Sequence, residues 1–232
     1  MFEGRSLNNT MMVFAPHPDD ATLGCGGIIA ERVSQGCEVI IVVMTDGRHA
    51  FSKGLSISVE PTPEEVKQMR KEECIIASGI LGVPKKNLFF LDFEDGTLEK
   101  HEKEVIKRTI ETIGEHSQAD YYFPFIRDCH PDHRATNRIV RQALRQLELT
   151  GSYQYAIIHI FARIGPWMEK FLSIFKRDRI EVDVSRFLGI KERALKAYKS
   201  ELTVISPKQK EPLHTDIGFF LKQKEVFYKL RR

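Results

Sequence analysis

The chain has 232 residues, of which 42% are hydrophobic and 29% charged, a composition typical of globular proteins rather than disordered or fibrous ones. Its 35 basic and 32 acidic residues give a formal net charge of +3, too even a balance to indicate a nucleic-acid partner. No run approaches the ~18 apolar residues of a membrane span, and the N-terminus lacks the apolar stretch of a signal peptide. We therefore expect a cytoplasmic protein that binds no nucleic acid and has no membrane span.

The length lies within the range of one large α/β domain, so we expect a single domain over residues 1–232. The sequence leaves the oligomeric state open, and an oligomer is compatible with it. The cysteines lack the C-x-x-C spacing of a zinc or redox motif, and we expect reduced thiols at Cys25, Cys37, Cys74 and Cys129.

Apolar runs and helical patterns alternate from the N-terminus onward. Residues 11–15 and Glu38–Thr45 are apolar runs typical of strands that are buried on both faces. Between them, residues 22–35 predict a helix that ends at Gly36. This order of elements is that of a β–α–β unit.

The alternation continues through the rest of the chain. A second helix is predicted from Thr62, a capping residue followed by Pro63 and Glu65, to about Leu81. The later predictions, in chain order, are a strand at 87–91, a helix at 102–115, a strand at 121–125, a helix at 133–147, strands at 155–161 and 180–184, and a helix at 191–200. The pattern predicts a Rossmann-like α/β fold with a mostly parallel sheet and helices on both faces.

Two clusters of histidine and aspartate follow predicted strands. Pro16-His17-Pro18-Asp19-Asp20 comes after the first strand, and residues 128–134, with the sequence DCHPDHR, come after the fourth. Carboxyl ends of parallel strands share an edge, so the clusters are expected to converge despite a separation of ~110 residues. Together they offer the two imidazoles and one carboxylate of a catalytic zinc that keeps a position for water.

Adjacent carboxylates such as Asp19 and Asp20 can divide the labour of hydrolysis. One can bind the metal while its neighbour accepts a proton from the metal's water. Either cluster alone is equally well explained as a polar turn that caps a helix. The presence of both at matching strand ends favours the metal site.

The two motifs resemble those of the zinc-dependent de-N-acetylases, the family of the N-acetylglucosaminyl-phosphatidylinositol deacetylases and LmbE-like bacterial proteins. Its members carry (A/P)-H-P-D-D-E after the first strand and H-P-D-H near mid-chain, which match residues 16–20 and 130–133. Weaker matches are T-x-G from Thr45, R-x-x-E from Arg70 and D-x-x-D-G from Asp92. The resemblance extends from residue 11 to about 140 and is faint beyond. One departure is Ala21, where the family usually has glutamate.

The resemblance implies a hydrolase that removes the N-acetyl group from a small-molecule amino sugar of the N-acetylglucosamine type. It implies one zinc ion per chain, replaceable by other divalent ions, with His17, Asp20 and His133 as the metal ligands. Asp19 would be the general base that activates the zinc-bound water. The Ala21 departure leaves these four residues in place.

The resemblance also implies roles for residues around the metal. His130 would stabilise the oxyanion or protonate the leaving amine. Arg70 and Asp92 would bind substrate, with a surface or helix-capping role as the alternative for each. Asp132 either orients His130 or hydrogen-bonds the loop backbone.

Three other functions are compatible with parts of the sequence. Gly24-Cys25-Gly26-Gly27 begins like the G-x-G-x-x-G motif of dinucleotide-binding proteins, but Ile29 stands where the third glycine is required. His17-Pro18-Asp19 with His133 has the residue types of a non-haem iron facial triad. Such triads in the 2-oxoglutarate oxygenases lie on β-sandwich folds, whereas this chain alternates strand and helix. Metal binding without catalysis is a third alternative.

Overall fold

The computed structural model of the protein describes residues 8–57, 59–157 and 178–230. Seven strands of these residues form one mixed sheet. They are β1 (Thr10–Ala15), β2 (Glu38–Thr45), β3 (Leu88–Phe93), β4 (Ala119–Pro124), β5 (Ser152–Tyr155), β6 (Arg179–Asp183) and β7 (Lys224–Lys229). Their order across the sheet is β3-β2-β1-β4-β5-β7-β6.

The first five strands are parallel, as the sequence predicts. The last two differ, because β7 pairs antiparallel with both β5 and β6. The strand β7 was not predicted from the sequence, since its KEVFYK pattern mixes charged and apolar residues. It enters the sheet between two strands that precede it in the chain.

Helices cover both faces of this sheet. They are α1 (Asp20–Ser34), α2 (Ser52–Leu55), α3 (Pro63–Ile80), α4 (Glu102–Gly114), α5 (Pro131–Gln146), α6 (Leu188–Leu195) and α7 (Lys199–Leu202). In β1, Met11 and Val13 pack in a core with residues of α1, α3 and α6, whereas Met12 and Phe14 pack in a second core with α4 and α5. The predicted fold class, an α/β sheet with helices on both faces, is confirmed.

Several predicted boundaries are confirmed closely and two differ. The capping box of α3 is present, because Thr62 Oγ1 accepts from the Glu65 amide and the Glu65 carboxylate accepts from the Thr62 amide. The helix predicted over 191–200 is two helices, since Tyr198 leaves the helical backbone with ψ 67°. The strand predicted over 155–161 lies earlier in the chain, as β5 at Ser152–Tyr155, and shares only Tyr155 with the prediction. Residues 156 and 157 follow the strand, and residues 158–161 lie outside the described part.

None of the helices in the described ranges has the length and apolar character needed to cross a bilayer.

Candidate metal centre and active site

Both predicted clusters lie at one edge of the sheet. His17 follows β1 by two residues, and Asp20 opens α1 directly afterwards. His130 and His133 lie at the start of α5, in the connection that leaves β4. Because β1 and β4 are neighbouring parallel strands, the two clusters meet although they are far apart in the chain.

Three side-chain atoms form a compact triangle at this edge. His17 Nδ1 lies 3.0 Å from Asp20 Oδ2, His133 Nε2 lies 3.2 Å from the same oxygen, and the two ring nitrogens are 3.3 Å apart. Donors held ~2.0–2.1 Å from a tetrahedral zinc ion are separated by roughly 3.3 Å. The spacing and chemistry of these three buried groups therefore fit a zinc-type ion.

The charges at the triangle also suit a cation. Burial disfavours the charged imidazole, but the carboxylates of Asp20, Asp132 and Asp95 outweigh it and raise the pKa of His17 well above its usual value. In the same way, burial is outweighed by Asp20 and Asp128, which raise the pKa of His133 to about 9. The carboxylates around both imidazoles thus favour a positive charge at the triangle.

His130 lies beside the triangle. Its ring centroid is 4.7 Å from that of His17 and 5.1 Å from that of His133, and the three rings have nitrogen atoms within 4.8 Å of one another. Burial and the two neighbouring imidazoles lower the pKa of His130. Its Nδ1 accepts the amide N–H of Asp132 at 3.3 Å, so a neutral ring carries its proton on Nε2.

Asp128 supports both histidines of the second cluster. Its Oδ2 lies 3.0 Å from His133 Nδ1, and its Oδ1 accepts the amide N–H of His130 at 3.0 Å. A carboxylate behind a ligating histidine fixes the tautomer and orientation of the ring. The role of Asp128 was missed from the sequence, where only its position directly before Cys129-His130 pointed to it.

Asp132 and Asp95 approach the first cluster. Asp132 Oδ2 lies 3.5 Å from His17 Nε2 and accepts the amide N–H of Gly96 at 2.6 Å. Asp95 Oδ1 lies 3.6 Å from the same nitrogen of His17. The carboxylate of Asp132 therefore faces His17, whereas the backbone amide of Asp132 contacts His130.

Asp19 is held by Arg70, which is buried beneath it. The Nη2 atom of Arg70 donates to Asp19 Oδ1 at 2.8 Å and to Glu201 Oε1 at 2.7 Å, and Nη1 donates to the carbonyl of Gly47 at 3.0 Å. Arg70 is 5% exposed, so its guanidinium is almost fully enclosed by the protein. These contacts make Arg70 a support for Asp19, and its contact with substrate stays a prediction.

Glu201 belongs to α7, in the part of the chain where the motif resemblance is faint. Burial raises the pKa of Glu201, and the nearby carboxylate of Asp19 raises it further. His214 Nε2 lies 3.6 Å from Glu201 Oε2, the carboxylate oxygen that does not accept from Arg70 in the described contacts. No motif in the sequence pointed to Glu201, because Arg70, with which it pairs, lies 131 residues earlier in the chain.

The described partner of Asp92 is a lysine and not a histidine. Its side chain is 40% exposed and pairs with Lys71 Nζ at 3.2 Å. From the segment that follows β3, Asp95 is the residue whose carboxylate approaches His17. The contact of Asp92 with substrate stays a prediction, and nothing in the sequence indicated that Asp95 approaches His17.

The departure at Ala21 lies inside the protein. Ala21 is buried in the first turn of α1 and belongs to the apolar core on that face of the sheet. The glycines that suggested dinucleotide binding also lie within α1. A Cβ atom would come within 2.5 Å of Tyr155 at Gly24 and within 2.6 Å of Val184 at Gly27. Close packing explains these glycines.

Comparison with known proteins connects this site with one family. Residues 12–144 match the family model described as PIG-L: GlcNAc-PI de-N-acetylase. The diacetylchitobiose deacetylase of Thermococcus kodakarensis is 26% identical over 198 residues, which are 82% of this chain and 69% of that protein. A Bacillus cereus protein named "Probable N-acetyl-alpha-D-glucosaminyl L-malate deacetylase 2" is 30% identical over 61% of this chain and 63% of its own length.

The fold is also found in a solved structure. The N,N'-diacetylchitobiose deacetylase from Pyrococcus horikoshii, complexed with its inhibitor, superposes with a TM-score of 0.69 at 21% identity, over 96% of this chain and 84% of that one. The family match spans more than half of the chain and includes both histidine and aspartate clusters. The chain therefore belongs to the GlcNAc-PI de-N-acetylase (PIG-L) family.

Proposed function

We propose that the protein is a zinc-dependent hydrolase that removes the N-acetyl group from an N-acetylglucosamine-type substrate. The observation that carries this proposal is the triangle of His17, Asp20 and His133, with Asp19 fixed next to it by Arg70. Membership of a family of de-N-acetylases and the names of the relatives support the same chemistry.

We assign His17, Asp20 and His133 as the residues that would hold one zinc-type ion per chain. Other divalent ions are alternatives, because nitrogen and oxygen donors select weakly among them. When bound, such an ion would lower the pKa of a coordinated water toward ~7 and polarise the amide carbonyl. Asp128, Asp132 and Asp95 would keep the imidazoles in place.

The remaining residues have roles in proton transfer and binding. Asp19 accepts a proton from the attacking water and passes it to the nitrogen of the leaving amine as the C–N bond breaks. His130 donates from Nε2 to the oxyanion of the tetrahedral intermediate. Arg70 positions Asp19, and the exposed Asp92 is proposed to meet a sugar hydroxyl.

The two aspartates provide the decisive test. Asp19→Asn should retain the metal and lose ~100- to 10,000-fold in kcat, because an amide cannot accept the proton. Asp20→Asn should lose metal affinity, since a neutral donor replaces an anionic one. Metal analysis and a free-amine assay over a panel of acetylated glucosamine compounds measure both effects.

A panel from which the zinc-loaded protein releases no amine would overturn the proposed activity. An Asp19→Asn protein that loses its ion while Asp20→Asn keeps ion and activity would exchange the two roles.

His130→Ala is expected to keep its metal and to lose turnover by ~100- to 10,000-fold, because the ring lies beside the triangle and donates to the reacting atoms. His133→Ala is the matched control, for which metal content itself should fall. If His130→Ala loses the ion instead, the roles of the two histidines must be exchanged.

A further inference from the structure

The hydrogen bonds of Arg70 are divided among three partners. Its Nη2 atom donates both to Asp19 Oδ1 and to Glu201 Oε1, at 2.8 and 2.7 Å, while Nη1 donates to the carbonyl of Gly47. Its Nε atom is buried and has no hydrogen-bond partner among the described residues. A guanidinium that faces one carboxylate commonly donates to both of its oxygens through two parallel N–H groups. Here Arg70 reaches Asp19 through one nitrogen, which it shares with Glu201.

The carboxylate of Glu201 exceeds what the charge of Arg70 requires. Asp19 and Glu201 are both buried, and the single positive charge of the guanidinium lies between them. Burial and the carboxylate of Asp19 raise the pKa of Glu201 well above its usual value, although Arg70 acts in the opposite direction. A buried acidic group beyond the one that balances the cation lowers the stability of a fold. Its presence beside the proposed base therefore indicates a role in the reaction.

The short helix α7 holds Glu201 against both of its neighbours. Ser200, the preceding residue, donates to the carboxylate of Glu73 through its amide at 2.7 Å and its hydroxyl at 2.6 Å. Glu73 lies on α3, about one helical turn after the arginine. Tyr198, directly before α7, donates to the carbonyl of Pro18 at 2.9 Å, and Pro18 directly precedes the proposed base. The backbone around Glu201 is thus fixed to both elements that its carboxylate joins.

We propose that Glu201 is a positioning residue of the deacetylation, a role that rests on the proposed function. By occupying Nη2 of Arg70, Glu201 keeps the guanidinium from turning Nε and Nη2 toward both oxygens of Asp19. The carboxylate of Asp19 is thereby held by one oxygen, in the orientation from which it accepts the proton of the attacking water. Glu201 itself contacts neither the substrate nor the reacting atoms.

Glu201→Leu removes the acceptor and keeps most of the side-chain volume. Arg70 can then close a two-point contact with Asp19, so kcat should fall at least ~10-fold while KM and the metal content stay unchanged. Glu201→Gln should recover most of this loss, because its amide oxygen still accepts from Nη2. Amine release from an acetylated glucosamine compound and metal analysis measure these effects. An unchanged kcat in Glu201→Leu, or an equal loss in both variants, would overturn the proposal.

Ser200→Ala is the matched control, because it loosens the same helix without removing a contact of Arg70. It removes the hydroxyl bond to Glu73 and leaves the bond from the amide. Urea unfolding measures the stability of every variant, and Ser200→Ala should keep the kcat of the wild-type protein. A fall in kcat equal to that of Glu201→Leu would show that the general packing of α7, and not the contact with Arg70, is what matters, and would contradict the proposal.

Unfolding separates the role of Glu201 from the proposed activity. A double-mutant cycle combines Glu201→Leu with Asp19→Asn in the metal-loaded full chain. Two residues that share one donor should shift the urea midpoint non-additively. Non-additive shifts support the shared contact even if no acetylated compound releases amine. Additive shifts contradict the role of Glu201 even if the wild-type protein is an active deacetylase.

Discussion

At the scale of single residues, the site distributes its carboxylates among different partners. Asp19 binds Arg70, Asp20 joins His17 and His133, and Asp128 supports His133 from behind. All these aspartates have the same intrinsic chemistry. The partner that each carboxylate meets therefore decides whether it can hold a metal, accept a proton or orient a ring.

Zinc affinity should rise between pH 6.5 and about 9. In the metal-free protein the pKa of His133 is raised from 6.5 to about 9, so this ring holds a proton at neutral pH, and the pKa of His17 is raised in the same direction. An imidazole binds zinc only when it is neutral, so binding must displace such a proton. Calorimetry in two buffers with different ionisation enthalpies measures the protons released at pH 7.5.

The folding stability of the metal-free protein changes with pH in the direction opposite to that of zinc affinity. Because the folded pKa of His133 exceeds its unfolded value, this group stabilises the metal-free protein fully below pH 6.5 and loses that contribution as the pH rises through about 9. The thermal stabilisation by zinc should therefore grow over the same range. An affinity that stays constant from pH 6.5 to 9 would contradict this prediction.

At the scale of elements, turns at strand ends hold the two sides of the site together. Thr45 donates to the carbonyl of Pro16 through both its amide and its hydroxyl, at 2.9 and 2.8 Å. Two residues later, Gly47 has φ +64° and accepts from Arg70 through its carbonyl. The end of β2 thus fixes the segment that carries His17 and the arginine that supports Asp19.

Gly47→Ala should reduce kcat by at least ~10-fold, because a small displacement of catalytic groups lowers rates strongly. A Cβ atom there would lie 2.3 Å from Arg70 Nη1 and 2.9 Å from Pro18 Cδ, so both must move. Gly36→Ala is the matched control. Gly36 also has a positive φ, +79°, but nothing lies within 4 Å of its Cβ position.

Both alanines carry the left-handed backbone strain of about 1–2 kcal/mol, which urea unfolding measures. Only Gly47→Ala should also lose activity. Equal kcat values for the two variants would show that the contact with Arg70 does not position Asp19.

At the scale of the whole molecule, the last part of the chain completes the support of α1. Glu225 of β7 accepts the amide N–H groups of Gly27 and Ile28 at 2.8 and 2.9 Å. Lys191 of α6 donates to Glu225 at 2.7 Å and to the carbonyl of Leu23 at 2.9 Å. A buried ion pair thus joins three elements behind the helix that begins with Asp20.

Lys191→Met should destabilise the fold by about 3 kcal/mol, because it leaves the buried carboxylate of Glu225 without its cation. Lys191 is 2% exposed and Glu225 is 6% exposed. Lys196→Met is the control, since Lys196 is exposed and pairs with Glu192 one turn away. Its effect should stay within ~0.5 kcal/mol.

The shift in the urea midpoint measures both variants, and similar shifts would contradict a special role of the buried pair. The metal content of the folded Lys191→Met protein shows whether α1 still holds Asp20 in position to bind the ion.

The sequence by itself determined the alternation of strands and helices, the caps of α3, the two clusters at one sheet edge and the family. These features depend on neighbouring residues, because apolar runs, capping boxes and contiguous motifs act within a few positions of the chain. The bounds of β2 and the convergence of His17 with His133 followed from such local patterns and from the geometry of parallel strands.

Only the tertiary structure decided three features: the insertion of β7 between β5 and β6, the ion pair of Arg70 with Glu201, and the approach of Asp95 to His17. Each of these features brings together residues from separate elements. The sequence of one element does not determine which side chain of another element it will meet. Glu225 shows the reason clearly: a charged residue in a short mixed pattern becomes a buried strand residue because helix α1 offers two amide groups and α6 a lysine. Favourable burial of a charge depends on partners that only the folded chain brings together.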